Sequence, residues 1–407
     1  MAGLPVLKLV SVFPEQLQPG EPLPFALRDA GGRLLLAAGL TADPGQFAEL
    51  VAQPLWAEEH EAADWQRRVV AAMDQALRQG ALLGQVAAAR PEAPRDGADF
   101  GRARSFSDQW DEIVLQLDAA LRELRPGAGD GPARVEAVRQ RVRALAERRP
   151  DASLYHFVYA ASQPQHKYSC HHAIMAMLMT DLASAAMALT VPEKDAVSLA
   201  ALTMNVGMLR LQDQLASSEL PITPAMRATI DGHAATGAAM LRAAGFDNAL
   251  ALEVVRLHHE TGDPGVPLAA LPPARRLARL LSRVDAFAAK ISRRATRPPM
   301  SPVQAAREAC LGVNGEPDEI GGALLRAVGL YPPGSFVELV NGEMGIVLAR
   351  GRRANLPYVA SLVSAGGNVL GEPALRDSLD RRYAVRAALR PDAVKVRPPH
   401  ERLLAMR

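Results

Sequence analysis

Nine histidines stand at positions 60, 156, 166, 171, 172, 233, 258, 259 and 400, and all but the first and last fall between residues 156 and 259. His258, His259 and Glu260 close an apolar helical stretch, 250–257, just before a Gly/Pro-rich loop. Imidazoles at a helix end beside a loop can point into a cavity shared with other elements. Asp285 lies within another apolar stretch, 277–289, where an ionised carboxylate needs a partner. Neutral imidazole and carboxylate together suit Fe, Mn or Zn. Ions of that kind generate a hydroxide nucleophile at neutral pH. Each residue taken alone has a plainer reading. A helical histidine is most often a surface or satisfied core group, and Asp285 can simply pair with Arg283 or Arg276.

The elements that would have to position these groups are legible from apolar spacing. Residues 5–40 alternate like strands, with a turn at Asp29-Ala30-Gly31-Gly32 between apolar runs, which reads as a hairpin. Residues 44–90 carry Phe47, Leu50, Val51, Trp65, Val69, Val70, Met73 and Leu77 at three- and four-residue spacing, which predicts helix. The pattern dissolves into Pro, Gly and charge over 91–106, a linker. Two amphipathic helices follow at 107–125 and 133–149. Helical spacing then runs from 152 to about 330, broken at Pro192, Pro221, Gly245, 263–267 and Pro298-Pro299; this predicts an all-α domain of at least six helices. The tail changes class: Asn341-Gly342 between apolar runs predicts a hairpin with a type I′ turn, and strands near 358–363 and 383–387 complete a small barrel-like unit. The expected organisation is multidomain and mainly α. An α+β module at 1–90 and a linker at 91–106 precede a helical domain at 107–330, led by the helix pair within 107–150, and a β module follows at 331–407.

Composition narrows the function classes. The chain has 407 residues, 49% hydrophobic and 22% charged, close to globular averages. Aromatics are only 4%, so Ala, Leu, Val and Met must fill the core. Met175, Met177 and Met179 read as core filler. The net charge of +2 lacks the electrostatic footprint of a DNA-coating or membrane-coating protein. Cys170 and Cys310 lie far apart without metal-ligand spacing, which fits a reducing compartment and predicts a cytoplasmic protein. The N-terminus does not read as a signal peptide. The longest apolar run, 173–191, is interrupted by Asp181, so no membrane span is expected.

Order and spacing together resemble the HD-GYP family of HD-type metal-dependent phosphohydrolases of bacteria. The segment YSCHHAIMA at 168–176 is similar to the family's first histidine helix, with His171 at the ligand position. DGHAATG at 231–237 looks like its H-x-x-x-G segment, and His258-His259-Glu260 like its HHE. RVDAF at 283–287 with Arg294 and Arg297 looks like its Asp helix and following basic turn, and GLYPPGSFV at 329–337 with NGEMGIV at 341–347 like its ending. The resemblance spans about residues 107–350. It implies a helical bundle around a two- or three-metal site, usually iron or manganese, that hydrolyses cyclic di-GMP. By this resemblance His171, His233, His258, His259 and Asp285 occupy metal-ligand positions. Arg294 and Arg297 occupy phosphate-contacting positions, a task suited to the guanidinium fork.

Where the family carries HDxGK, this chain reads Met204-Asn205-Val206-Gly207-Met208. A ligand histidine, a metal-bridging aspartate and a lysine are thus replaced by Met204, Asn205 and Met208. The family's GYP loop reads GDPGVP at 262–267, and Lys167 stands where some members carry a carboxylate. An amide cannot supply the charge that holds two cations together, and a thioether is a poor ligand for hard metals. Residues that act as one device fail as one device. The resemblance therefore implies a cyclic-di-GMP-linked signalling protein that binds nucleotide or a signalling protein partner with little or no hydrolysis, holding one Fe or Mn ion at most or none. A working phosphodiesterase built from the five retained ligands is the alternative. A third reading is an adaptor acting through its β modules.

Overall fold

The computed structural model describes residues 9–406 except 15–16, 18, 43, 79–104, 128, 261, 263–264 and 313–314. All but the last two residues of the expected linker lie outside the described residues. The protein is mainly helical with two antiparallel sheets, divided into two compact units, Met1–Leu115 and Gln116–Arg407. The boundary falls inside a helix rather than in the linker.

In the first unit, β1 (Leu9–Val12), β2 (Leu27–Arg28), β3 (Leu34–Leu36) and β4 (Leu55–Glu58) form a sheet in the order β1-β4-β2-β3. The Asp29-Gly32 turn forms as the sequence predicts: Asp29 Oδ1 accepts from the Gly31 and Arg33 amides at 2.7 and 3.1 Å. Strand β4 corrects the helical reading of 44–90. Helix α1 (Pro44–Val51) stops before Pro54, and Leu55 and Ala57 are buried in the sheet core before α2 (Glu59–Arg78) begins. The buried Arg28 guanidinium meets Glu58 at 2.9 Å and Asp108 at 2.6 Å.

Helix α3 (Phe106–Arg122) carries the unit boundary. The second unit continues through α4 (Gly131–Arg148), α5 (Pro150–Ala161), α6 (Tyr168–Ala186), α7 (Val191–Thr203), α8 (Leu209–Ser217), α9 (Pro224–Ala243), α10 (Ala249–Leu257), α11 (Pro273–Ile291), α12 (Pro302–Cys310) and α13 (Glu319–Val328). Proline stands in the first turn of six of these, α4, α5, α7, α9, α11 and α12, where its missing N–H costs nothing and its fixed φ suits the helix. Side-chain caps add to the start signals, as where Thr223 accepts from Met226 N and Asn248 from Ala251 N. Met175, Met177 and Met179 are buried, as core filler should be. No described helix is long and apolar enough to cross a membrane.

The C-terminal strands β5 (Phe336–Leu339), β6 (Met344–Ala349), β7 (Tyr358–Val363), β8 (Val369–Asp377) and β9 (Val385–Leu389) pair in the order β8-β7-β6-β5-β9. Expected as a module of its own, this sheet groups with the helices of the second unit. Gly334 explains the close fit: at φ +91° it sits on α5 so tightly that a Cβ would lie 2.8 Å from Tyr159 N. The β5–β6 turn also differs from expectation. Gly342 alone has positive φ, and its amide donates to Leu339 O at 2.9 Å. This is a three-residue loop closed by a left-handed glycine, not the two-residue I′ turn. Strand β8, missed in the sequence, lies at the sheet edge and contains Pro373.

The short helix α14 (His400–Leu404) returns to α5. His400 Nδ1 lies 3.0 Å from the Tyr155 hydroxyl, and its ring packs 4.3 Å from that of Tyr159. Burial, with Arg397 nearby, pushes the His400 pKa down to about 4. An unfolded histidine titrates near 6.5, so the unfolded chain takes up the extra proton first. Stability from this contact is present above about pH 6.5 and is lost as pH falls towards 4. Denaturant titrations between pH 7 and pH 4.5 are expected to show His400→Phe removing a pH-dependent loss of roughly 1–3 kcal/mol.

One close approach fixes the geometry of the helical core. The turn at Val206–Met208 packs on α9, and a Cβ on Gly207 would collide with His233 O and lie 2.9 Å from Gly237 N. Gly232, in the same helix, has open space at its Cβ position. Gly207→Ala is expected to destabilise by about 1–3 kcal/mol through overpacking, whereas Gly232→Ala stabilises by about 0.4–1 kcal/mol through reduced unfolded-state entropy. Chemical denaturation of the two variants checks the contrast.

Candidate metal centre

Helix α9 presents His233, and the end of α10 presents His258 and His259. Their ring nitrogens form the one group of metal-capable donors among the described residues in which all ligand atoms lie within 4.8 Å of one another. Backbone carbonyls set the imidazoles. His233 Nδ1 lies 2.5 Å from Ile230 O, and His258 Nδ1 2.6 Å from Val255 O, a carbonyl of the last turn of α10. A carbonyl only accepts, so each Nδ1 carries the hydrogen and each neutral ring keeps its lone pair on Nε2. Those two Nε2 atoms face each other at 3.2 Å.

Burial lowers the pKa of both rings. For His258 burial, with His259 adding to it, brings the value down to about 4; His233 is lowered for the same two reasons, its bond to Ile230 opposing. A shared proton is therefore disfavoured near neutrality, and a bound cation satisfies both lone pairs. His259 is exposed, with its ring 4.1 Å from that of His258 and 5.0 Å from that of His233. The donor set fits one ion: three imidazoles, two with tautomers locked by second-layer carbonyls in the manner of metal-ligating histidines.

The remaining sequence-derived positions are placed differently. Asp285, on α11, is outside this trio. It accepts from neither Arg283, which pairs with Asp318, nor Arg276, which pairs with Glu193. Instead Asp285 Oδ1 lies 2.7 Å from His172 Nε2. Burial works to raise the Asp285 pKa, but the His172 hydrogen bond holds it well below the carboxylate range. His171 is buried and packs its ring 5.8 Å from Phe157. His172, also on α6 and absent from the sequence-derived set, is the residue that meets Asp285.

The signal for His172 lies in its spacing from Tyr168. Residues four apart share a helix face, and the Tyr168 and His172 rings stack at 5.7 Å with an interplanar angle of 13°. Arg294 lies over the same tyrosine, its Cζ 5.6 Å from the ring centroid and its Nη2 3.4 Å from the hydroxyl. Arg294 and Arg297 close a tight turn through reciprocal backbone bonds of 3.0 Å, and Arg297 Nη2 donates to Ala289 O at 2.7 Å. Neither guanidinium has a carboxylate within salt-bridge distance among the described residues.

A charged network anchors the first turn of α6. Lys167, in the left-handed region at φ 56°, pairs with Asp118. Asp118 also meets Arg122 Nε at 2.6 Å, and Arg122 Nη2 reaches Asp213 at 2.7 Å. Asp213 Oδ1 in turn accepts from Ser169 N at 2.8 Å. The lysine at the place where the resemblance expected a carboxylate is thus an anchor of the helix that bears His172. At the altered HDxGK segment, Met204 and Asn205 are buried, and Met208 N donates to Asn205 O at 2.9 Å to close the turn.

No known protein-family profile matches the chain. Over 253 residues it is 28% identical to the cyclic di-GMP phosphodiesterase PA4108 of Pseudomonas aeruginosa, an alignment that covers 61% of this chain and 60% of that protein. The chain thus spans about three-fifths of the length of the curated relative it matches.

Proposed function

We propose that the unit Gln116–Arg407 is a degenerate HD-GYP domain that binds cyclic di-GMP and hydrolyses it poorly or not at all. The carrying observation is the pair of imidazoles whose Nε2 lone pairs face each other at 3.2 Å, a one-ion arrangement without the negative charge that two ions require. Asn205 stands where that charge would come from, and Asp285 is engaged by His172. His171, which the resemblance implies as a ligand, has its ring 5.8 Å from that of Phe157. Three nitrogen donors without a carboxylate favour iron over manganese, since imidazole suits iron and carboxylate suits manganese. A bound ion would supply Lewis acidity at the trio. Arg294 and Arg297 offer guanidinium groups without acidic partners among the described residues, the groups suited to hold phosphate oxygens. Similarity to a cyclic di-GMP phosphodiesterase supports the choice of nucleotide.

The second reading, a working one-ion phosphodiesterase, draws on the same trio, because a single ion on three histidines can activate water. The two readings part on turnover. Protein purified without chelators is expected to carry about one ion per chain, lost in His258→Ala, and to bind cyclic di-GMP by calorimetry. Loaded anaerobically with Fe(II) or Mn(II), it is expected to turn over no more nucleotide than the variant does. Hydrolysis that disappears with His258→Ala would establish the enzyme instead. Failure to bind cyclic di-GMP in any metal state would remove the proposal.

A further inference from the structure

We infer that Tyr168 is a positioning residue that couples an anion held at Arg294 to the His172–Asp285 pair. The inference deepens the nucleotide-binding reading and rests on it for the identity of the natural anion.

Four side chains form a contiguous series of contacts from Arg294 to Asp285. Tyr168 is 2% exposed, at the first position of α6. Its ring stacks on His172, its hydroxyl lies 3.4 Å from Arg294 Nη2, and its π-face lies under the Arg294 guanidinium. His172 continues the chain to Asp285 at 2.7 Å. A guanidinium over an aromatic face is held by the ring quadrupole and shifts when an anion draws it away. Because Tyr168 touches both groups, such a shift is transmitted to the ring that orients the His172 hydrogen bond. The anchor of α6 by Lys167–Asp118 and Ser169–Asp213 keeps the tyrosine from following the guanidinium freely. Residues 293–297 are held separately, through Ala295 N to Ala216 O at 2.8 Å and Arg293 N to Ala161 O at 2.7 Å.

The test follows the His172 ring nitrogens by 15N NMR on histidine-labelled full-length protein freed of paramagnetic ions, titrated with cyclic di-GMP and, in parallel, with inorganic pyrophosphate. The expected result is a saturable change in the His172 resonances with either probe, absent in Arg294→Ala. Tyr168→Phe, which keeps the stack but loses the hydroxyl, is expected to weaken probe affinity about 3- to 10-fold with unchanged metal content and thermal midpoint. Tyr168→Leu is expected to abolish the His172 response. If Tyr168→Leu fails to fold, Tyr168→Phe and Arg294→Ala carry the test. Response to pyrophosphate but not to cyclic di-GMP would uphold the coupling while sinking the nucleotide reading. Probe binding with no change at His172, or no change with either probe, would overturn the inference.

Discussion

Two neutral imidazoles that aim lone pairs at each other across 3.2 Å repel unless a cation or a proton lies between them. Burial makes the proton expensive. Much of the surrounding architecture serves to keep this unfavourable pair in place. The carbonyls of Ile230 and Val255 fix both tautomers. Gly207 lets the turn before α8 approach the backbone of α9 at His233 closely enough that no side chain fits. The cap at Asn248 and the end of α10 put two consecutive histidines at one helix terminus. A folded chain would gain stability by replacing these rings with apolar ones of similar size, so their arrangement points to a ligand more than to packing.

The neighbouring charges are divided between two tasks. Asp285, in an apolar helix, is engaged by His172 through a 2.7 Å hydrogen bond. On the opposite end of α6's first turn, Asp118 and Asp213 are committed to Lys167, Arg122 and the Ser169 amide. The acids near the site are thus mostly engaged, while Arg294 and Arg297 have no acidic partner among the described residues. That contrast leaves the basic turn as the place with unspent attraction for an anion.

Legibility in the sequence followed the range of the interaction. The helix starts, marked by Pro and by Ser, Thr, Asn or Asp caps, and the Asp29-Gly32 hairpin were readable because their signals are local. Strand β4 was not, since Leu55-Trp56-Ala57-Glu58 is too short to break a helical spacing and becomes a strand through pairing with β1. The Asn341-Gly342 pair signalled a turn correctly but not its length, which the register of Val337 with Gly345 sets. Among the site residues, the spacing of His233, His258 and His259 was visible, but whether His171 or His172 faced Asp285 was not. Neighbours in a helix differ by about 100° in direction, and only the position of α11 decides between them.

The edge strand β8 carries a consequence of a different kind. A nine-residue strand at the border of a sheet offers a row of unpaired amides and carbonyls, the template on which a second chain can add and begin an aggregate. Here Pro373 deletes one donor from that row, and Glu372 carries a negative charge tied to Arg402 of the terminal helix at 2.6 Å. Val369 and Leu375 stay exposed beside them. The strand can therefore keep apolar residues in water without inviting edge-to-edge growth, a restraint that rests on one proline and the charge beside it.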